Sequence, residues 1–478
     1  MFEVHFPTRS PRVLEPVIGT AAVDTLFAIG ERMKPQMEGR RTVHINSTAA
    51  GGGVAEMLPA LLAYTTGLGI DGRWFVIEGD PEFFAITKRL HHRLHGEPGD
   101  FGPLGHAEQQ TFIATVMDNQ ADAQRLLQPG DIITLHDPQP APLAHWLSQQ
   151  LYPLVWRCHI GVDETNEYTE QAWDFLRPML EPYIDQYVFT RRGYAPNWVL
   201  NERLHVIKPS LDPFSAKNIE LSGETVLATL QHIGVLSGAP DLHPQFLRTD
   251  GSTGRIDRTA NIVRDGPPVD PQTPMIVQVS RWDPLKDMAG VMRAFASEPR
   301  TQHAALVLAG PDVTSVTDDP EGQQVLADVI EQWRRLPHNV RSRVSIVSLP
   351  MDDPEENATM VNALQRHATV IVQKSLKEGF GLTVTEAMFK GRPVIASAVG
   401  GIVDQIRDGV DGLLIADATD TRAAGAAMGV LLRDQFEADR MGREGHKVVV
   451  EEFLADSSLT LWARTLESII THPRRRPE

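Results

Sequence analysis

The chain has 478 residues, a formal net charge of −17, 42% hydrophobic residues and one cysteine. That length exceeds what one hydrophobic core serves, so two large domains are expected. The acidic balance excludes non-specific binding to nucleic acid or to an anionic membrane, and the single Cys158 excludes both an intrachain disulfide framework and a multi-cysteine metal site. No charged-then-apolar leader opens the sequence and no run of about 18 apolar residues could span a bilayer, so a cytoplasmic protein is expected.

In chain order, strand-like runs fall first at 41–47, 73–78, 131–135, 154–159, 186–190 and 204–208, with helical segments between several of them. Thr42-Val-His-Ile-Asn46 leads into a turn carrying Gly51, Gly52 and Gly53 in a row, then an apolar-periodic helix. Such a turn lets a backbone approach a ligand closely, yet it has the spacing of neither a dinucleotide fingerprint nor a P-loop, and a purely structural turn explains it nearly as well. Asp137 follows 131–135 and reads either as a turn aspartate before Pro138 or as a ligand-binding group. His159 ends the 154–159 run, where a core imidazole satisfied by its neighbours is the commoner case; Cys158 beside it reads as a buried structural thiol. Residues 216–273 are richer in Gly, Pro, Asp and Ser and read as a helix followed by a long loop or insertion. The chain thus divides into a first domain at 1–208, a linker or insertion at 209–273 and a second domain at 274–455, with a last helix near 456–472.

The second half repeats the layout, with runs at 274–280, 304–309, 343–349, 369–373, 393–397 and 412–415. Strands alternating with helices imply parallel sheets with right-handed crossovers. The run at 274–280 ends in Ser280-Arg281-Trp282-Asp283-Pro284-Leu285-Lys286-Asp287, whose cations are Arg281 and Lys286. The carboxyl ends of parallel strands are where open α/β sheets place ligands, so the two cations suit a diphosphate; the alternative is a surface salt bridge to Asp283 or Asp287, worth little. The run at 369–373 is followed by Lys377-Glu-Gly-Phe-Gly-Leu-Thr-Val-Thr-Glu-Ala387, in which seven residues separate Glu378 from Glu386. A strand, a turn with Gly379 and Gly381, and a helix opening at Leu382 and Thr383 together form a phosphate site, because free N–H groups and the helix dipole point at the anion. Glu386 is expected about two turns into that helix.

These motifs resemble the retaining glycosyltransferases of the GT-B fold that carry a Glu-x7-Glu motif, and more narrowly the trehalose glycosyltransferring synthases. The narrower likeness rests on His44-Ile-Asn-Ser-Thr48 with Gly51 to Glu56, Val76 to Phe84 with Thr87-Lys88, His136-Asp-Pro-Gln-Pro140, Trp156-Arg-Cys-His-Ile160, Pro209-Ser-Leu-Asp-Pro213, Gln278 to Arg281, Gln373-Lys-Ser375, Glu378 to Met388 and Val399-Gly-Gly-Ile402. The resemblance implies an α/β architecture of two Rossmann-like parallel-sheet domains facing across a cleft, with the last helix completing the first domain. It implies transfer of glucose from a nucleoside-diphosphate glucose (UDP-, ADP- or GDP-glucose) to free glucose, giving trehalose with retention of configuration. Arg281 and Lys286 would oppose the leaving diphosphate, Glu378 would hold the donor sugar, Glu386 would grip the ribose, and His159 would contact the donor sugar. Asp137 would bind or orient the acceptor, with Gly51, Lys88 and Glu78 as further acceptor-side candidates; a solvated face explains Lys88 and Glu78 almost equally well. Gly52 and Gly53 would close over the donor phosphates, and Asn362 would line the base pocket. No Asp-x-Asp motif ends a strand, so no cofactor and no obligatory metal are expected. Partners are expected to be these small molecules and, by analogy with related enzymes, a second copy of the chain. A trehalose phosphorylase and a catalytically silent sugar-nucleotide binder remain alternatives. The sequence departs from the family after His159-Ile160, where Gly161-Val162-Asp163 displaces an aspartate by two places.

Overall fold

The structure, a computed structural model, describes residues 1–49, 53–240, 243–313 and 320–471. It divides into two compact units: Met1–Leu211 with Phe453–Glu478, and Asp212–Glu452.

The first unit is built on β1 (Phe2–Glu3), β2 (Thr42–Asn46), β3 (Gly72–Val76), β4 (Ile132–His136), β5 (Leu154–Cys158), β6 (Gln186–Phe189) and β7 (Leu204–Val206), in the sheet order β1-β3-β2-β4-β5-β6-β7. All neighbours are parallel except β1, which runs antiparallel to β3 at one edge. Every residue of β2, β4, β5 and β6 is buried, as expected for strands covered on both faces by crossover helices. One face packs Val43, Ile45, Leu135 and Trp156 into a large core; the other packs Ile132, Val155 and Val188 against Trp462 and Leu466 of the last helix, Ala455–Thr471. That helix is therefore counted with the first unit.

The second unit begins at Asp212 and includes most of the stretch read from sequence as a linker or insertion. That reading is corrected by the packing. The helix Gly223–His232 lies against the helix Pro354–His367. A two-stranded hairpin of β8 (Gln245–Leu247) and β9 (Thr253–Arg255) is tied to the same helix, Arg248 pairing with Asp353 at 2.5 Å and with Glu355 at 3.3 Å. β10 (Asn261–Val263) then joins the main sheet antiparallel to β13 (Val344–Leu349). With β11 (Met275–Val279), β12 (Ala305–Pro311), β14 (Val370–Gln373), β15 (Val394–Ser397) and β16 (Leu413–Ile415), the order is β10-β13-β12-β11-β14-β15-β16.

The two sheets share one topological feature. Strand order reverses between β2 and β4 in the first and between β11 and β14 in the second. Such switch points splay the outgoing loops apart and are where doubly wound sheets bind ligands.

Candidate active site

At the switch point of the second unit, the loops leaving β11 and β14 are cross-tied. The Gln278 side-chain amide donates to the Lys286 carbonyl at 2.7 Å and accepts from the Lys374 N–H at 3.0 Å. The Leu376 N–H donates to the Leu285 carbonyl at 2.7 Å. Lys374, 1% exposed, bonds both Asp287 and the Ala418 carbonyl. Asp287 is thereby occupied, and the Lys286 ammonium turns instead to Glu378 Oε2 at 2.5 Å, which also accepts from Ser375 Oγ at 3.1 Å. Lys286 and Glu378, ninety-two residues apart, are thus one unit. Arg281 makes the exposed contact weighed above, an ion pair to Asp283 at 3.2 Å, and its side chain stays 58% exposed. Trp282 packs, with Nε1 donating to the Pro311 carbonyl at 2.8 Å.

Beyond Glu378, Gly381 takes φ +89° and opens the helix Leu382–Phe389. A side chain is disfavoured there twice over, by the dihedral and because a Cβ would crowd Glu378 and Ile402 at 3.2 Å. The first-turn N–H groups of Leu382 and Thr383 have no intrahelical acceptor, and Thr383 Oγ1 is held by Gln373 at 3.0 Å. The Gly379 carbonyl accepts from Gly401 at 3.2 Å. Glu386 is the fifth residue of the helix, hence little more than one turn in rather than two. It is 2% exposed, accepts from Gln365 at 3.3 Å and pairs with Lys217 at 3.5 Å. Lys390, one turn on, donates to Asn218 at 3.0 Å, and burial pushes its pKa down to about 7. Asn362 is corrected by its contacts. Its amide donates to the carbonyls of Ala216 and Ile219 at 3.1 and 2.8 Å and its oxygen accepts from Arg366 at 2.9 Å, so it anchors the 216–219 segment and is fully buried.

In the first unit the switch point is lined differently. His44, His136 and Arg157 project from one face of β2, β4 and β5, His136 and Arg157 being partners in register. His44 Nδ1 lies 2.8 Å from His136 Nε2, and His44 Nε2 lies 3.3 Å from the Thr42 hydroxyl. His136 stacks on His159 with ring centres 5.5 Å apart, while Trp462 covers His44 and Arg157 at 5.5 and 5.4 Å. Arg157 donates to His159 Nε2 and to the Ile207 carbonyl. A guanidinium only donates, so Nε2 carries the lone pair and the ring proton sits on Nδ1, facing Asp137 Oδ2 at 3.3 Å. Asp137 Oδ1 also accepts from the His159 backbone N–H at 2.8 Å. Asp137 itself adopts φ +62°, a left-handed conformation that aspartate tolerates better than most residues. Its N–H donates to the Arg157 carbonyl at 2.7 Å, and its carbonyl accepts from Trp156 Nε1 at 2.9 Å.

Burial governs the charges here. It pushes His44 down to about 3 and His136 and His159 well below the usual imidazole range, so all three are neutral at pH 7. It pushes the Asp137 carboxyl up to about 7 and Arg157 down to about 10. The structure therefore joins Asp137 and His159, which the sequence offered separately, and adds His44, His136 and Arg157, which it did not single out. It does not gather the remaining acceptor-side candidates. Glu78 is exposed and accepts from the Met1 amine at 2.9 Å, and Lys88 lies on the exposed side of the helix Pro81–Leu94. Gly53 begins the helix Gly53–Gly67; Gly51 and Gly52 lie outside the described residues. The departure at Gly161 has a steric cause, since a Cβ there would fall 2.1 Å from the Tyr194 ring. The displaced Asp163 pairs with Arg191 instead. Among the described residues no three His, Cys, Asp or Glu side chains group as a metal site, and no helix is long and apolar enough to cross a membrane.

Two Rossmann-like parallel-sheet units have the architecture of the GT-B class, and the match of the second unit to a glycosyl transferase family makes the chain a glycosyltransferase of that class. Residues 44–196 match the family model of the trehalose synthase N-terminal domain, and residues 261–448 match that of the group 1 glycosyl transferases. A trehalose synthase of Thermococcus litoralis is 33% identical over 457 residues, covering 95% of each chain. A trehalose phosphorylase of Pleurotus pulmonarius is 24% identical over 408 residues, which cover 80% of this chain and 50% of that one. A solved trehalose-6-phosphate synthase shares the fold with a TM-score of 0.66 at 13% identity, over 91% of this chain and 99% of that one. The chain belongs to the trehalose synthase family and is a trehalose-related glycosyltransferase.

Proposed function

We propose that the protein transfers glucose from a nucleoside-diphosphate glucose to free glucose, forming trehalose with retention at the anomeric carbon. The observation that carries this reading is the Lys286–Glu378 pair, set beside the helix opening at Leu382 and Thr383 at the switch point of the second sheet. A sugar nucleotide breaks at its anomeric C–O bond, leaving negative charge on the diphosphate and oxocarbenium character on the sugar. Lys286, Arg281 and the Leu382 and Thr383 N–H groups oppose the first charge. Glu378, released from Lys286 as the diphosphate takes its place, holds donor-sugar hydroxyls. Glu386 takes the ribose in exchange for its contact with Lys217. Within the first unit, the neutral His159 and its orienting partner Asp137 are assigned to sugar binding.

Retention follows from front-face transfer. The new bond from the acceptor oxygen to the anomeric carbon forms on the face the phosphate leaves, and the acceptor's proton passes to the departing phosphate oxygen. A double displacement would require a carboxylate nucleophile against the anomeric carbon, and Glu378 is already assigned to hydroxyl binding. No metal is required in this scheme, so activity persists in excess chelator; loss of activity there would refute that element. The whole reading is tested by offering UDP-, ADP- and GDP-glucose with glucose and quantifying trehalose and nucleoside diphosphate together. A matched rise of both with one donor is the expected result. Nucleotide release without trehalose would point to another acceptor. Phosphorolysis of trehalose with no donor-dependent synthesis would favour the phosphorylase, whose relatives the chain also matches.

A further inference from the structure

A pocket in the first unit lies between the sheet and two helices, lined by Met57 and Leu58 on one side, Trp462 and Ser458 on another, and His136 and Arg157 beneath. Two of its polar atoms, His136 Nδ1 and Arg157 Nη1, are buried and without a hydrogen-bond partner among the described residues. His136 is 2% and Arg157 3% exposed, and the two residues are cross-strand partners on β4 and β5, so both orphan atoms belong to one place. Buried polar groups are rarely left unpaired, since each costs about 1–3 kcal/mol.

The occupant is narrowed by charge and by size. Arg157 donates only to neutral acceptors, the His159 ring and the Ile207 carbonyl. Among the described residues no carboxylate lies within ion-pair distance of it. The nearest, Asp137, is committed to the His159 backbone N–H and ring. A buried guanidinium whose hydrogen-bond acceptors are all neutral is poorly compensated, which argues for an anion over a water molecule. The cavity volume is about 20 Å³, which suits one particle of about water size better than sulfate, phosphate or a sugar ring. Ser210 and Ser458 also line it, each with a hydroxyl able to donate.

We infer that this pocket binds a single monovalent anion of halide size, held by Arg157, His136 and the serine hydroxyls. His159 also lines it, and the inference does not depend on which sugar nucleotide the enzyme uses. The bound anion completes the donor set of Arg157, and His136 presents Nδ1–H to it. That choice of tautomer passes the chain of hydrogen bonds on to His44, which donates from Nδ1 to His136 Nε2 and accepts from Thr42.

The test uses the full-length protein crystallised from sodium bromide, with anomalous scattering recorded at the bromine edge. In parallel, the melting temperature is measured in sodium bromide, sodium chloride and sodium gluconate at one ionic strength. The expected results are an anomalous peak between His136 Nδ1 and Arg157 Nη1, and a melting temperature at least about 2 °C higher in the halides than in gluconate. Ser458→Val, which fills the pocket with carbon, removes the halide dependence. An ordered water with no anomalous signal would overturn the inference. So would a halide effect that survives in Ser458→Val, because it would then arise elsewhere. If that variant fails to fold, the anomalous map of the unaltered protein decides alone.

Discussion

The two switch points are built on the same topology and treat charge in opposite ways. In the first unit the polar groups sit on the strands or on the residue directly after them. Three imidazoles, a guanidinium and a carboxyl are packed against one another beneath Trp462, and burial suppresses ionisation of the imidazoles and the carboxyl. In the second unit the groups sit on loops after the strands, as ion pairs that keep some access to water: Lys286 and Glu378 are 15% and 12% exposed, Arg281 58%. The first arrangement is a preorganised framework whose alteration is felt in folding and in pH dependence. The second is a set of charges held by temporary partners until an anion displaces them, so its alteration is felt in turnover with little change in stability.

The largest effect expected from this contrast is on the second unit's pair. Lys286→Met and Glu378→Gln each lower kcat by about 10²–10³, or about 2.7–4 kcal/mol of transition-state stabilisation, while thermal unfolding stays close to that of the parent. A Glu378→Gln protein with near-normal turnover would break the site assignment. Next comes Asp137→Asn in the first unit. The amide can accept from the His159 N–H or the ring but presents an NH2 group where the second carboxyl oxygen stood, and kcat/KM falls by about 10²-fold through misplacement of His159. Unlike the two substitutions above, it also changes the pH dependence of stability. Gly161→Ala forces a methyl group into the Tyr194 ring and destabilises the first unit by about 1–3 kcal/mol, read from denaturant midpoints.

A finer test is the proton balance of the buried imidazoles. His44 titrates near 6.5 when unfolded and about 3 when folded, so the unfolded state takes up the proton first and stability is lost as pH falls below 6.5. Asp137 acts in the opposite sense, its contribution being present below 3.8 and lost as pH rises through about 7. His44→Gln reduces the slope of stability against pH between 5 and 6 by about 1.4 kcal/mol per unit; an unchanged slope would contradict the burial of a neutral His44. The smallest effect is that of Arg281→Ala. Its exposed pair with Asp283 leaves stability within about 0.5 kcal/mol of the parent, so any change in the Michaelis constant for the donor reports a contact with ligand.

The contrast also explains what was legible in the sequence. The second unit's site is written in contiguous stretches, Ser280–Asp287 and Lys377–Ala387, where glycine spacing, cations and carboxylates fall within a few residues of each other. The core strands of both sheets were equally plain, because runs such as Met275–Val279 are dominated by apolar and β-branched residues. The cluster of His44, His136 and Arg157 was not, since its contacts span ninety-two residues between His44 and His136. Within each strand, a polar residue gives no sign of the neighbour it meets across the sheet. In-register pairing, unavailable before folding, is what joins them. β10 and the 8–9 hairpin escaped for another reason: each strand is three residues long and flanked by polar segments. The membership of 212–273 in the second unit depends on long-range ion pairs such as Arg248 with Asp353.

The central claim is best tested by following anomeric carbon directly. Nucleoside-diphosphate glucose labelled with ¹³C at the anomeric position would be incubated with unlabelled glucose and the purified protein, and the products read by NMR. The account predicts α,α-trehalose carrying the label in one ring, in one-to-one proportion with released nucleoside diphosphate. A product of inverted configuration, or label recovered only as free glucose, would contradict it.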